Sequence, residues 1–141
     1  VNGANADALT VATSSGDIKL DSVSSKDTRI SANSGDVSLG DVVMDNIDLK
    51  TSSGNITSGS IKAKCINGRA SSGDVMIRDC DASEINVVTT SGDVSIGIGS
   101  EMKYEYNTKT SSGDVNVPDS VEEADGKCNI ETSSGDIDVT Q

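Results

Sequence analysis

Short bursts of strict alternation run along the chain. Ile18-Lys19-Leu20, Val37-Ser38-Leu39, Val94-Ser95-Ile96 and Ile137-Asp138-Val139 place an apolar side chain at every second position. A matching burst lies upstream of most of them, as in Leu9-Thr10-Val11, Ile47-Asp48-Leu49 and Ile85-Asn86-Val87. Period two predicts strands that bury one face. Between each pair of bursts stands Ser-Gly-Asp or Ser-Gly-Asn, seven times in all, at Gly16, Gly35, Gly54, Gly73, Gly92, Gly113 and Gly135. Their spacings are 19, 19, 19, 19, 21 and 22 residues.

Aligned on the glycine, the columns hardly vary. Ser precedes it every time, and two residues after it come Ile18, Val37, Ile56, Val75, Val94, Val115 and Ile137. Glycine accepts a positive φ, and Asp, Asn and Ser side chains close turns on nearby amides, so Ser-Gly-Asp predicts a corner between two strands. A 19-residue coil cannot bury its own apolar face. Coils stacked about 4.8 Å apart can, with each Ile or Val on its equivalent in the next coil. The prediction is an all-β, single-domain parallel β-solenoid of about seven coils, spanning residues 9–141. Each coil has two main strands and a short return segment, and the rod is roughly 34 Å long. A hairpin sandwich is the alternative, but it would not need the same residue at the same place in every repeat. Residues 1–8 stand outside the repeat and read as an N-terminal cap or linker. The longer intervals place loops bulging at 99–104 and 120–127. No cap follows the final strand, so the last coil is expected to leave an open sheet edge. Such an edge invites a second copy to pair with the solenoid end.

Composition narrows the chemistry. Phe, Trp and His are absent and Tyr104 and Tyr106 are the aromatics, so the core rests on small β-branched residues. The formal charge of −12 argues against nucleic acid or an anionic membrane as partner. No apolar stretch is long enough to span a bilayer. Val1 in place of Met points to processing, and an upstream leader or anchor is compatible with the sequence. Cys65, Cys80 and Cys128 have no metal-ligand spacing and read as small buried hydrophobes, with a Cys65–Cys80 disulfide as the alternative.

Residues 51–56, 110–117 and 132–139 share the segment Thr-Ser-Ser-Gly-(Asp/Asn)-(Val/Ile). In this multiplicity the motif resembles DUF4097, a bacterial adhesin-like domain of unknown function. The resemblance covers about residues 9–140. It implies a β-solenoid in an extracytoplasmic, often membrane-tethered setting. It implies no activity, cofactor or catalytic residue.

Without His, no Ser-His or Cys-His pair exists, and the acidic column repeats at every coil where an active site would break the pattern. No enzyme and no cofactor are expected, and a carbohydrate-active enzyme is kept only as an alternative. Asp17, Asp36, Asp74, Asp93, Asp114 and Asp136 fall about 5 Å apart along the rod. They are candidates for Ca²⁺ between coils, against the simpler reading that they accept hydrogen bonds in the turns. Thr13, Thr51, Thr89, Thr110 and Thr132 share parity with the buried columns and should pack inside the corner rather than form an outward array. Lys50, Arg69 and Lys109, four before the glycine, form a small outward basic group. The expected role is a structural or adhesion-like surface at a cell envelope, for a protein or glycan partner. The alternative is an end-to-end scaffold.

Overall fold

The computed structural model describes residues 1–99 and 101–141. Ser100, inside the expected bulge at 99–104, lies outside the described residues. Twelve parallel-paired strands and no helix occur among them: β1 (Asn5–Ser15), β2 (Ile18–Leu20), β3 (Val23–Ser34), β4 (Val37–Leu39), β5 (Val42–Ser53), β6 (Ile56–Ser72), β7 (Val75–Ser91), β8 (Val94–Ile98), β9 (Tyr104–Ser112), β10 (Val115–Asn116), β11 (Gly126–Ser134) and β12 (Ile137–Thr140). The coils stack in register as a β-solenoid. Ile56 stands on Val37 and under Val75, and Val75 stands under Val94. These residues are at most 1% exposed, so the apolar columns form one continuous interior.

The cross-section has three sides rather than two strands and a return. The return segment is itself a strand. Val23, Val42, Ile61 and Cys80 pair in register along the rod and are buried. This side hides in the sequence because each corner shifts the alternation by one residue. The buried positions jump by three from Leu20 to Val23 and from Ser25 to Thr28, which flips the parity. Asn5–Ala8 belong to the first coil, opposite Ser24–Asp27 of β3, while Gly3 and Val1 bond backbone to backbone with Asp21.

The order of coils along the rod departs from the order in the chain. β11 pairs with β7 on one edge and with β9 on the other, and β12 likewise lies between β8 and β10. The seventh coil is therefore inserted between the fifth and the sixth. Val94 stands under Ile137, and Ile137 under Val115. The expectation that the last coil in the chain forms the open end is corrected, because the sixth coil occupies that place. This explains the longer intervals. The chain must climb about two 4.8 Å levels after β8 and return one level after β10.

The segment 117–125 does not bulge freely but folds over the end of the rod. The Ser120 hydroxyl accepts from Tyr106 N–H (2.9 Å) and donates to Tyr106 C=O (3.4 Å). Asp125 N–H donates to Lys103 C=O at 2.8 Å. The two tyrosines fill the space the exchange leaves. Tyr104 is 1% exposed, and its hydroxyl donates to the Ala82 carbonyl at 2.6 Å. Gly126 makes room for that ring, since a Cβ there would lie 2.8 Å from Tyr104 Cε1.

Candidate interaction surface

The Ser-Gly-Asp corner is the most regular feature of the surface. Each glycine has a φ between +122° and +147°, which a side chain rarely tolerates. From the second coil onward the position is also too tight for a Cβ. At Gly54 it would lie 2.1 Å from the Gly35 carbonyl oxygen. The close approach lets each acidic side chain reach the next coil. Asp36 N–H donates to Asp17 Oδ1 (3.0 Å), Asn55 N–H to Asp36 Oδ1 (2.8 Å) and Asp74 N–H to Asn55 Oδ1 (3.0 Å). The ladder continues from Asp93 to Asp74, Asp136 to Asp93 and Asp114 to Asp136, following the exchanged order. The acceptors thus serve the neighbouring coil and not their own turn. Asn55 shows that an amide oxygen is enough.

The six aspartates considered for Ca²⁺ therefore each lend an oxygen to a backbone amide or, at Asp114, end the ladder. No group of three or more His, Cys, Asp or Glu side chains converges among the described residues. Three of the five threonines pack inward as their parity requires, while Thr13 and Thr110, on the two end coils, are partly exposed. Thr51, Thr89 and Thr132 are at most 2% exposed, and Thr89 and Thr132 hydroxyls reach the Gly73 and Gly92 carbonyls of the coil below.

The basic group does not assemble. Lys50 and Arg69 are register partners, but Val88 and Glu131 separate Arg69 from Lys109. Lys109 instead pairs with Glu131 at 3.1 Å. Two residues before that column runs a ladder of asparagine amides that the sequence showed only as a polar column. Asn86 donates to Asn67, Asn129 to Asn86 and Asn107 to Asn129. On the last three coils Asn86, Val88, Asn107, Lys109, Asn129 and Glu131 line a shallow groove of about 490 Å³. Val88 is 44% exposed there, an apolar spot in a polar wall.

The cysteines are free thiols. Cys80 and Cys128 are fully buried and their pKa is pushed up to about 12, by burial first and, for Cys80, also by Cys128 nearby. Cys65, expected inside, sits at a corner and is half-buried. Its pKa is raised by partial burial and then by Glu84, while a hydrogen bond from Asn67 lowers it. No Cys65–Cys80 disulfide forms.

The family model described as Toastrack DUF4097 matches residues 1–140, the whole solenoid. The chain belongs to the Toastrack family. No curated protein and no solved structure matches it. The family is a domain of unknown function, and nothing in the match points to an enzymatic family. In this Toastrack chain the corner side chains are engaged in bonds between coils.

Proposed function

We propose that this Toastrack chain is a non-enzymatic structural module at a bacterial cell envelope, acting as a rigid spacer whose groove engages a protein or glycan partner. The observation that supports it most is the regularity of the corner. A glycine at every level, followed by Asp or once Asn, holds one coil to the next, as a structural rod requires. The groove breaks this regularity with Val88 and the Lys109–Glu131 pair beside a row of asparagines. That mixture of amide, charge and a small apolar spot suits a polar partner with some apolar surface. The extracytoplasmic setting rests on the resemblance drawn above.

A glycan array and a panel of purified envelope polymers, probed with the parent chain and with Val88→Asp/Lys109→Glu, test this reading. Binding by the parent that falls at least tenfold in the variant is the expected result. Parent binding that the variant retains, or no binding to any member of either panel, overturns the groove as a surface.

A further inference from the structure

The solenoid is self-complementary at its two ends. Inside the rod each glycine N–H donates to the Ser carbonyl of the next coil, as Gly135 does to Ser112 at 2.9 Å. Each following Ile or Val N–H donates to the next Asp carbonyl, as Ile137 does to Asp114 at 2.8 Å. At the sixth coil no further coil follows among the described residues. Gly113 N–H, Val115 N–H and the Asp114 carboxylate face outward, and Val115 is 43% exposed. At the opposite end the edge is open along β1 from Ala8 and at the corner into β2, with Leu9 and Val11 only partly buried, while Val1 and Gly3 cover it from Lys19 to Asp21. There the Ser15 and Asp17 carbonyls and the Asp17 N–H offer the complementary set. A second copy set head to tail would continue the corner ladders: Gly113 to Ser15, Val115 to Asp17, and Asp17 N–H to the Asp114 carboxylate.

One segment blocks that seat. Asp7 to Leu9 of an incoming copy would need the place that Ser120 and Val121 hold over β9. Ser120 already bonds both backbone groups of Tyr106, and Val121 N–H reaches the Tyr104 carbonyl at 3.5 Å. The segment also starts with Pro118, which has no N–H to offer, and carries Asp119, Glu122, Glu123 and Asp125. Proline and charge are the means by which proteins keep sheet edges from pairing. We propose that residues 118–125 are a stopper that occupies part of an eighth coil's position and keeps the rod from joining a second copy head to tail. The joint it guards is the Gly113–Asp114–Val115 corner against the Ser15–Gly16–Asp17 corner of that copy. Such a joint repeats without closing, so its product is a filament.

Replacing residues 118–124 with a Gly/Ser stretch of equal length tests this, since Asp125 and its bonds to Lys103 stay. Sedimentation velocity over a concentration series should show the parent monomeric and the variant growing in mass, with end-to-end rods in electron micrographs. Adding Val11→Lys, an inward charge on the β1 edge, should return the variant to monomer. A variant with native circular dichroism that stays monomeric overturns the proposal. So does a parent that assembles as readily as the variant, or assembly that Val11→Lys leaves unchanged. If the replacement unfolds, Ser120→Gly/Val121→Gly carries the same expectation, with the same two outcomes against it.

Discussion

At Gly54 one added methyl would press on the Gly35 carbonyl at 2.1 Å, while at Gly16 nothing but the Thr13 hydroxyl lies within 3.9 Å. Both have a positive φ, so alanine strains both, but only Gly54 would also push two coils apart. Gly54→Ala should cost about 3 kcal/mol or more, and Gly16→Ala about 1–2 kcal/mol, read as shifts in urea midpoint at constant slope. Equal shifts would mean that the backbone angle alone decides. Ser58 gives the opposite sign. It stands in a column between Leu39 and Ile77, is 0% exposed, and its hydroxyl has no partner. Ser58→Ala removes a desolvated polar atom with little loss of volume. The expected gain is about 1 kcal/mol in the same measurement.

Among the elements, the exchange of the last two coils is the feature to test. Val88 and Glu131 are register partners, as are Glu131 and Lys109, whereas Val88 and Lys109 are two levels apart. In a Cys65→Ser background, Val88→Cys/Glu131→Cys should oxidise to a disulfide. Val88→Cys/Lys109→Cys should not, because about 9.6 Å exceeds the reach of one. The reverse pattern on non-reducing mass analysis would restore the simple order. The exchange was scarcely legible in the sequence for a physical reason. Thr110 and Thr132, Ser112 and Ser134, and Asp114 and Asp136 present the same groups to whichever coil lies below. Only the intervals of 21 and 22 residues and the lone pair of tyrosines marked the place. The glycine and Ile/Val columns were legible because stacking in register demands them. The third side was not, because its two inward residues are out of phase with the rest. Of the surface, the acidic column could be seen in the sequence but not its use, since nothing there says which amide an aspartate reaches. The asparagines share one column and would stack in either order, but the pairing of Glu131 between Val88 and Lys109 depends on the exchange and so could not be read in advance.

Seen as a whole molecule, the rod keeps two thiols deep beside the exchange. Cys80 and Cys128 ionise near 12 in the fold instead of their ordinary value near 9.0, because burial disfavours the thiolate. A group with a raised folded pKa contributes stability that is intact below the unfolded pKa and lost as pH rises toward the folded one. Between pH 9 and 12 the unfolded chain sheds two protons that the folded rod keeps, so stability should fall across that window. Cys80→Ala/Cys128→Ala should flatten the decline in urea midpoint from pH 8.5 to 10.5, whatever its effect at neutral pH. An unchanged slope would show that the thiols are not the cause. In the folded parent, a maleimide should label Cys65 well before the other two.

The inserted coil also sets a timetable for biosynthesis. A ribosome delivers β9 and β10 before the strands they rest on, at roughly 5–20 residues per second. During that interval the fifth coil presents a bare ladder to whatever is nearby, and the sixth has no proper seat. A translation pause placed just ahead of the codon for Gly126 would prolong this exposure, and one placed inside β3 would not. The latest-made strands of the described chain are therefore the bolt that locks the rod, and nascent molecules are most vulnerable immediately before they appear.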